Sequence, residues 1–222
     1  GGSDGADLDN ATYIGNKPNK TGLYMLEKAD LFNLLCVPPD KRGGDTDPTV
    51  YQEAIKYSVE LRAMVIVDPA AAWSKNPDSA AATAKSSLSA LGLTGTGARN
   101  AALYFPRVQQ SDPNLQGQLD IFPPSGIVAG VMARTDTERG VWKAPAGIDA
   151  AVQGVQGLEV VLNDPDNGQL NPLGINCLRA FPIVGNVLWG ARTLRGADEL
   201  ADEYKYVPVR RLALYLEESL FR

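Results

Sequence analysis

Three short apolar runs, each shut off by proline, constrain this chain most. They are 31–37 (LFNLLCV) before Pro38-Pro39, 63–67 (AMVIV) before Asp68-Pro69, and 101–105 (AALYF) before Pro106. A compact run that is apolar at consecutive positions reads as a strand buried on both faces. Helix openings lie between the runs. Asp47-Pro48 supplies a capping carboxylate and a first-turn proline, and Tyr51, Ile55 and Val59 then recur every four residues beside Ala54 and Ser58. Asn76-Pro77-Asp78 opens an Ala/Ser-rich helix to about Leu91. Strands alternating with helices predict an α/β fold, a mostly parallel or mixed sheet covered by helices on both faces.

The second half departs from strict alternation. Pro123-Pro124-Ser125-Gly126 opens a helix to about Thr135, whose Gly126, Ala129, Gly130 and Ala133 would let a neighbouring element approach closely. A strand is expected over 155–162, and NDPDNGQLNP after it reads as a turn cluster. Two strands, 175–181 and 186–191, joined through 182–185, predict an added antiparallel hairpin. A short helix is expected at 21–27 and a final helix from about Pro208 to the chain end. Residues 1–20, rich in Gly, Asp and Asn, read as a flexible or turn-rich lead-in to a single domain over 21–222.

Composition excludes several chemistries. The chain contains no histidine, which removes Ser-His-Asp and Cys-His catalysis, His-ligated zinc and histidine pH switches. Its net charge of −5 lacks the basic footprint of a nucleic-acid binder. Cys36 and Cys177 each sit in an apolar run and read as buried reduced thiols, expected in a cytosolic protein. No stretch approaches the ~18 apolar residues of a membrane span. The opening GGSDGADLDN has neither the basic nor the apolar region of a signal peptide.

Catalytic and ligand motifs are weak. Asp68 ends an apolar strand, where ligands of α/β folds often sit, but no second aspartate follows two residues on. An Asp-Pro turn accounts for it. G-L-T-G-T-G over 92–97 matches neither a dinucleotide fingerprint nor a P-loop. Asp164, Asp166 and Gly168 lack the spacing of a calcium loop. Ser125 with a distant lysine would make a Ser-Lys dyad, though a helix start explains it as well.

Two segments point instead to contacts. Trp142 stands in G-V-W-K-A-P-A-G, an aromatic and a cation in a glycine-bounded loop, suited equally to an interface or to folding back on the core. In the last helix Val209, Leu212, Ala213, Leu216 and Leu220 share one face. Arg210 and Arg211 fall in its first turn and Glu217 and Glu218 late, an order that opposes the helix dipole and fits either solvated pairs, the commoner case, or charges held for a partner. The chain stops at Leu-Phe-Arg222 within the helical pattern, without a Gly or Asn cap, as expected of a piece of a longer polypeptide.

Taken in order, several segments resemble the contractile tail sheath family of myophage tails, pyocins, type VI secretion and other injection systems. They are GLYMLE with LFNLLCVPP, AALYFPR, PPSGIVAGVMARTD, RGVWKAPAG, NPLGINCLRAFP, WGARTL and YKYVPVRRLALYLEESL. The opening GGSDG is also similar to the start of the family's main domain. The resemblance implies a structural subunit rather than an enzyme, with no cofactor. Such subunits stack as hexameric rings around an inner tube protein, answer to a baseplate, and contract to drive the tube through a target envelope. It implies a virion tail or injection particle, assembled in the bacterial cytoplasm, with no nucleic-acid or membrane partner. It also implies an N-terminal arm and a further C-terminal domain, neither identifiable in this chain.

Within the matching motifs, Gly140, Trp142, Pro145, Gly147, Asn171, Pro172, Gly174, Asn176, Trp189 and Gly190 are expected to shape the backbone. Lys143, Arg192, Arg210, Arg211, Glu217 and Glu218 are the candidate inter-subunit contacts. The rival readings are an α/β hydrolase-like enzyme using carboxylates or a Ser-Lys pair, and a static capsid or tube component.

Overall fold

The computed structural model describes residues 2 and 5–221. Gly1, Ser3 and Asp4 of the opening GGSDG, and the terminal Arg222, lie outside the described residues. In chain order the elements are α1 (Asn10–Ile14), β1 (Leu34–Cys36), α2 (Pro48–Glu60), β2 (Met64–Val67), α3 (Ala80–Ser87), β3 (Ala101–Phe105), β4 (Val108–Asp112), β5 (Gln118–Phe122), α4 (Ser125–Arg139), β6 (Gly157–Leu158), α5 (Asp164–Leu170), β7 (Ile175–Phe181), β8 (Gly185–Leu188) and α6 (Val207–Phe221). A 3-10 helix, Gly22–Lys28, occupies the short helical segment expected near residue 21.

The main sheet has the order β1-β2-β3-β7-β8. The first four strands are parallel and β8 returns antiparallel as the expected hairpin. Alternation along each strand splits the core in two. Val65, Val67, Leu103, Phe105 and Ile175 face α2, α3 and α5, while Met64, Ile66, Ala102, Tyr104 and Leu178 face α4 and α6. The mixed sheet covered on both faces is therefore the observed architecture.

Local chemistry explains the ends. Asp47 caps α2 by accepting from the Thr49 N–H at 2.8 Å, with Pro48 in the first turn. Tyr51, Ala54, Ile55 and Ser58 are buried as expected, but Val59 is exposed and Tyr57 takes its place inside.

Several expectations need correction. The lead-in contains α1, capped by Asp9 and fastened to the body by a Tyr13 hydroxyl bond to Pro38 O at 3.0 Å. NDPDNGQLNP is not a turn cluster: Asn163 and Asp166 exchange backbone bonds in a capping box that starts α5. The strand over 155–162 shrinks to Gly157–Leu158, the edge of a second sheet with order β5-β4-β6. Of the four small residues of α4, Ala129 packs against the core and the other three meet no neighbour. Gly126, Gly130 and Ala133 are exposed, and a Cβ on either glycine would touch nothing within 4 Å, because Val128, Val131 and Met132 form the packed face. Cys36 is half-buried rather than buried, while Cys177 is buried; both thiols are free. Burial pushes the two thiols up to about 11 and about 12, far from reactive thiolates.

Candidate assembly surface

The last helix is turned opposite to its apolar stripe. Its inner face buries Val207 and Leu214 together with Arg210 and Arg211, which are only 5% and 6% exposed. Arg211 makes a two-pronged bond to Asp136 of α4, at 2.8 and 2.6 Å. Arg210 donates from Nε to Asn100 Oδ1 at 3.0 Å and from Nη1 to Glu217 at 3.1 Å, with its guanidinium 4.7 Å from the Tyr204 ring. Asn100 in turn donates to Ala63 O at 2.9 Å. Charges that oppose the helix dipole are thus held by partners within the same chain. The cost of burying a guanidinium is met by planar, charge-assisted bonds.

The outer face carries the leucines. Val209 is 46% exposed, Leu216 50% and Leu220 87%, with Leu212 and Ala213 half-buried between them. Beside this stripe, Trp142 (64% exposed) and Tyr215 flank a cleft of about 420 Å³ floored by Arg62, Asp136, Arg211 and Leu214. Trp142 folds back over Gly140. Gly140 has φ +99°, and a Cβ there would lie 2.4 Å from the indole. Arg62 stands 4.1 Å over the Phe221 ring and pairs with Glu218 at 3.5 Å.

Several of the motif residues lie beside β7 and β8. After Trp142, the segment through Pro145, which is buried, runs along β8. Gly147 (φ +96°) donates to Leu188 O at 2.8 Å, and Val152 to Asn186 O at 2.7 Å. Lys143 reaches Asp149 at 3.9 Å. Asn171 and Pro172 form a 3-10 turn that ends at Gly174, whose left-handed φ and approach to Thr193 O exclude a side chain. Asn176, fully buried, is a staple. It donates to Leu103 O (3.0 Å) and Arg192 O (2.7 Å) and accepts from the Arg192 N–H (2.6 Å). Gly190 leaves it room, since a Cβ there would sit 2.8 Å from Asn176 Oδ1. Trp189 packs on Phe181 with ring centres 4.8 Å apart. Arg192 itself bonds Gly196 O and Asp198, both at 2.8 Å. Lys205 and Arg192 together hold the Asp198 carboxyl below the usual range.

Sequence reasoning did not anticipate what Asp68 does. Its carboxylate, at the end of β2, accepts from the Ser125 N–H and hydroxyl, both at 2.8 Å, and from Tyr51 at 3.3 Å. It thereby braces the first turn of α4 from another element. Burial pushes its pKa up to about 6 despite these bonds and nearby Arg107. Ser125 gives its hydroxyl proton to a carboxylate rather than to a lysine amine, so the Ser-Lys dyad finds no support. Among the described residues, no group of three or more Asp, Glu or Cys could hold a metal. No helix there is long and apolar enough to cross a membrane.

The described residues thus form a doubly covered α/β sheet held by turns and buried staples, with an apolar stripe exposed on its last helix. The comparisons make this specific. The sequence profile of the phage tail sheath protein central domain matches residues 9–194, and the chain belongs to that family. It is 33% identical over 99 residues to the tail sheath protein of Vibrio phage KVP40, spanning 44% of this chain and 14% of that one. Among solved structures it resembles an extracellular contractile injection system, the PVC sheath complex in its contracted state. There the identity is 30% with a TM-score of 0.62, over 91% of this chain and 51% of that one. A chain of the anti-feeding prophage baseplate (28% identity, TM-score 0.62) and one of its contracted helical sheath (28%, 0.59) are similar over 88% and 86% of this chain. The chain spans about half the length of these solved relatives.

Proposed function

We propose that this chain is the core of a contractile tail sheath subunit, which polymerises as stacked hexameric rings around an inner tube. On a signal from the baseplate the sheath shortens and drives the tube through a target envelope. The observation that carries the reading is the family match over residues 9–194 together with the shared fold of contracted sheaths at 28–30% identity. The family is one of structural sheath proteins, and the chemistry agrees. Asp68 and Ser125 serve each other as a brace, so no nucleophile is set up by them. The work of contraction comes from repacking of rigid subunits between two lattices, without a cofactor. Assembly takes place in the bacterial cytoplasm and yields a virion tail or injection particle.

Lys143 and Glu217, whose charged ends reach solvent, are proposed as rim contacts between subunits, with Arg192 and Glu218 nearer the body. Arg210 and Arg211 act inside the subunit. Expression of the intact gene product that carries this chain, viewed by negative-stain electron microscopy, tests the reading. Hollow striated cylinders are expected; a small soluble particle at high concentration refutes it.

A further inference from the structure

The chain has no histidine, so a response to pH near neutrality has to come from a group whose surroundings displace it. Asp68 is placed to be that group. It ends β2 and is 6% exposed, with Cys36 at the end of β1 and Ser125 at the start of α4 beside it. Its hydrogen bonds come from neutral donors: the Ser125 N–H and hydroxyl, and the Tyr51 hydroxyl of α2. The cation nearby, Arg107 in the turn from β3 to β4, gives its donors to Pro69 O, Gly44 O and Asp45 instead. A buried carboxylate with no bonded cation is costly. Two events remove that cost: the carboxylate takes up a proton, or the element above it lifts and admits water. The first turn of α4 can lift by itself. Pro124 supplies no capping side chain, so Asp68 caps the turn from another element, while Val131 and Met132 anchor the rest of the helix in the core.

We propose that Asp68 is a proton-operated latch: protonated, it holds the first turn of α4 shut over the ends of β1 and β2, and ionised, it lets that turn open. The groups that face it leave this role to Asp68 alone. Burial pushes the Cys36 thiol up to about 11 and raises the Tyr51 hydroxyl further above its ordinary value, so both stay neutral where Asp68 titrates. Arg107 keeps its charge throughout. Asp45 is engaged by Arg107 and by the Ala71 N–H at 2.8 Å. The first turn of α4, Ser-Gly-Ile-Val, carries no charge of its own. Burial moves Asp68 upward to about 6, whereas Asp9, Asp47, Glu53, Asp112, Asp198 and Asp202 shift the other way. The sign follows: the closed turn favours the proton and the open turn does not, so opening becomes easier as pH rises through 6.

Hydrogen–deuterium exchange of the intact gene product that carries this chain tests the latch, with each amide corrected for the intrinsic effect of pH. The probes are the Ser125 and Val128 amides, bonded to Asp68 and Pro124 O, and the reference is β3. At pH 7.5 the probes should open at least about tenfold more often than β3, at a rate that low urea leaves unchanged, the mark of opening without unfolding. Their opening constant should rise about tenfold from pH 5 to pH 7.5, as a shift from 3.8 to about 6 requires. Asp68→Asn should flatten that rise. Ser125→Ala removes one donor from the carboxylate and should move the rise to higher pH. If Asp68→Asn fails to fold, wild type and Ser125→Ala still decide. Probes that exchange only together with β3 overturn the latch, as does an opening constant that ignores pH, keeps its rise in Asp68→Asn or keeps its midpoint in Ser125→Ala. No readout requires cylinders, so failure here leaves the sheath reading untouched.

Discussion

Replacing Arg211 with methionine tests whether the inward arginines orient α6. Methionine keeps the apolar stem of the side chain and removes the guanidinium. The pair is two-pronged at 2.8 and 2.6 Å, with Arg211 almost wholly buried and the Asp136 side chain 29% exposed. Breaking a fully buried pair from one side costs ~3–5 kcal/mol. Water recovers part of this at Asp136, so Arg211→Met should destabilise by about 2–3 kcal/mol. Asp136→Leu leaves a buried guanidinium without its carboxylate and should cost at least as much. The double variant removes both charges and should be less destabilised than the sum by about 1.5 kcal/mol or more. Urea denaturation followed by far-ultraviolet circular dichroism gives all four corners of the cycle. Single losses below about 0.5 kcal/mol, or strict additivity, would refute the idea that this pair fixes the helix. Unchanged stability with lost assembly would return Arg211 to the role of an inter-subunit contact.

Three further outcomes follow from the geometry. Gly140→Ala places a Cβ 2.4 Å from the Trp142 indole at φ +99°; a loss of about 1–3 kcal/mol and a shifted Trp emission are expected, and Trp142→Ala should recover part of the loss. Asn176→Ala strands two carbonyls and the Arg192 N–H in the interior, and thermal melts should show a loss of about 2–4 kcal/mol; a change under about 0.5 kcal/mol would dismiss the staple. Asp68→Asn tests a titration. The native carboxyl, raised to about 6 from 3.8, contributes stability that is fully present below pH 3.8 and is lost as pH rises through 6. Relative to wild type, the Asn variant should therefore gain about 3 kcal/mol between pH 3.5 and pH 7.5, read from denaturant midpoints at each pH. A pH-independent difference would mean that Asp68 does not titrate there.

The strands of the main sheet were legible because burial on both faces leaves an unmistakable apolar run, and the β7–β8 hairpin because its turn lies between two such runs. The second sheet was not. Gln109, Gln110, Ser111 and Asp112 form a half-exposed strand whose polar face hides the period. The start of α5 was legible in principle, since Asn163 and Asp166 have capping-box spacing, but the Pro, Gly and Asn between them read more readily as turns. The amphipathic pattern of α6 was detected and its direction was not. A leucine stripe says that something apolar covers it, and only the placement of Asp136 and Asn100 reveals that the arginines face the core. The brace at Asp68 joins residues 51, 68 and 125 across three elements, a proximity that no local spacing carries.

Cryo-electron microscopy of the intact gene product that carries this chain tests the central claim most directly. The account predicts a hollow helical cylinder in which this α/β fold repeats at every lattice point. Monomers or globular particles without helical order, at concentrations where sheaths form, would contradict it.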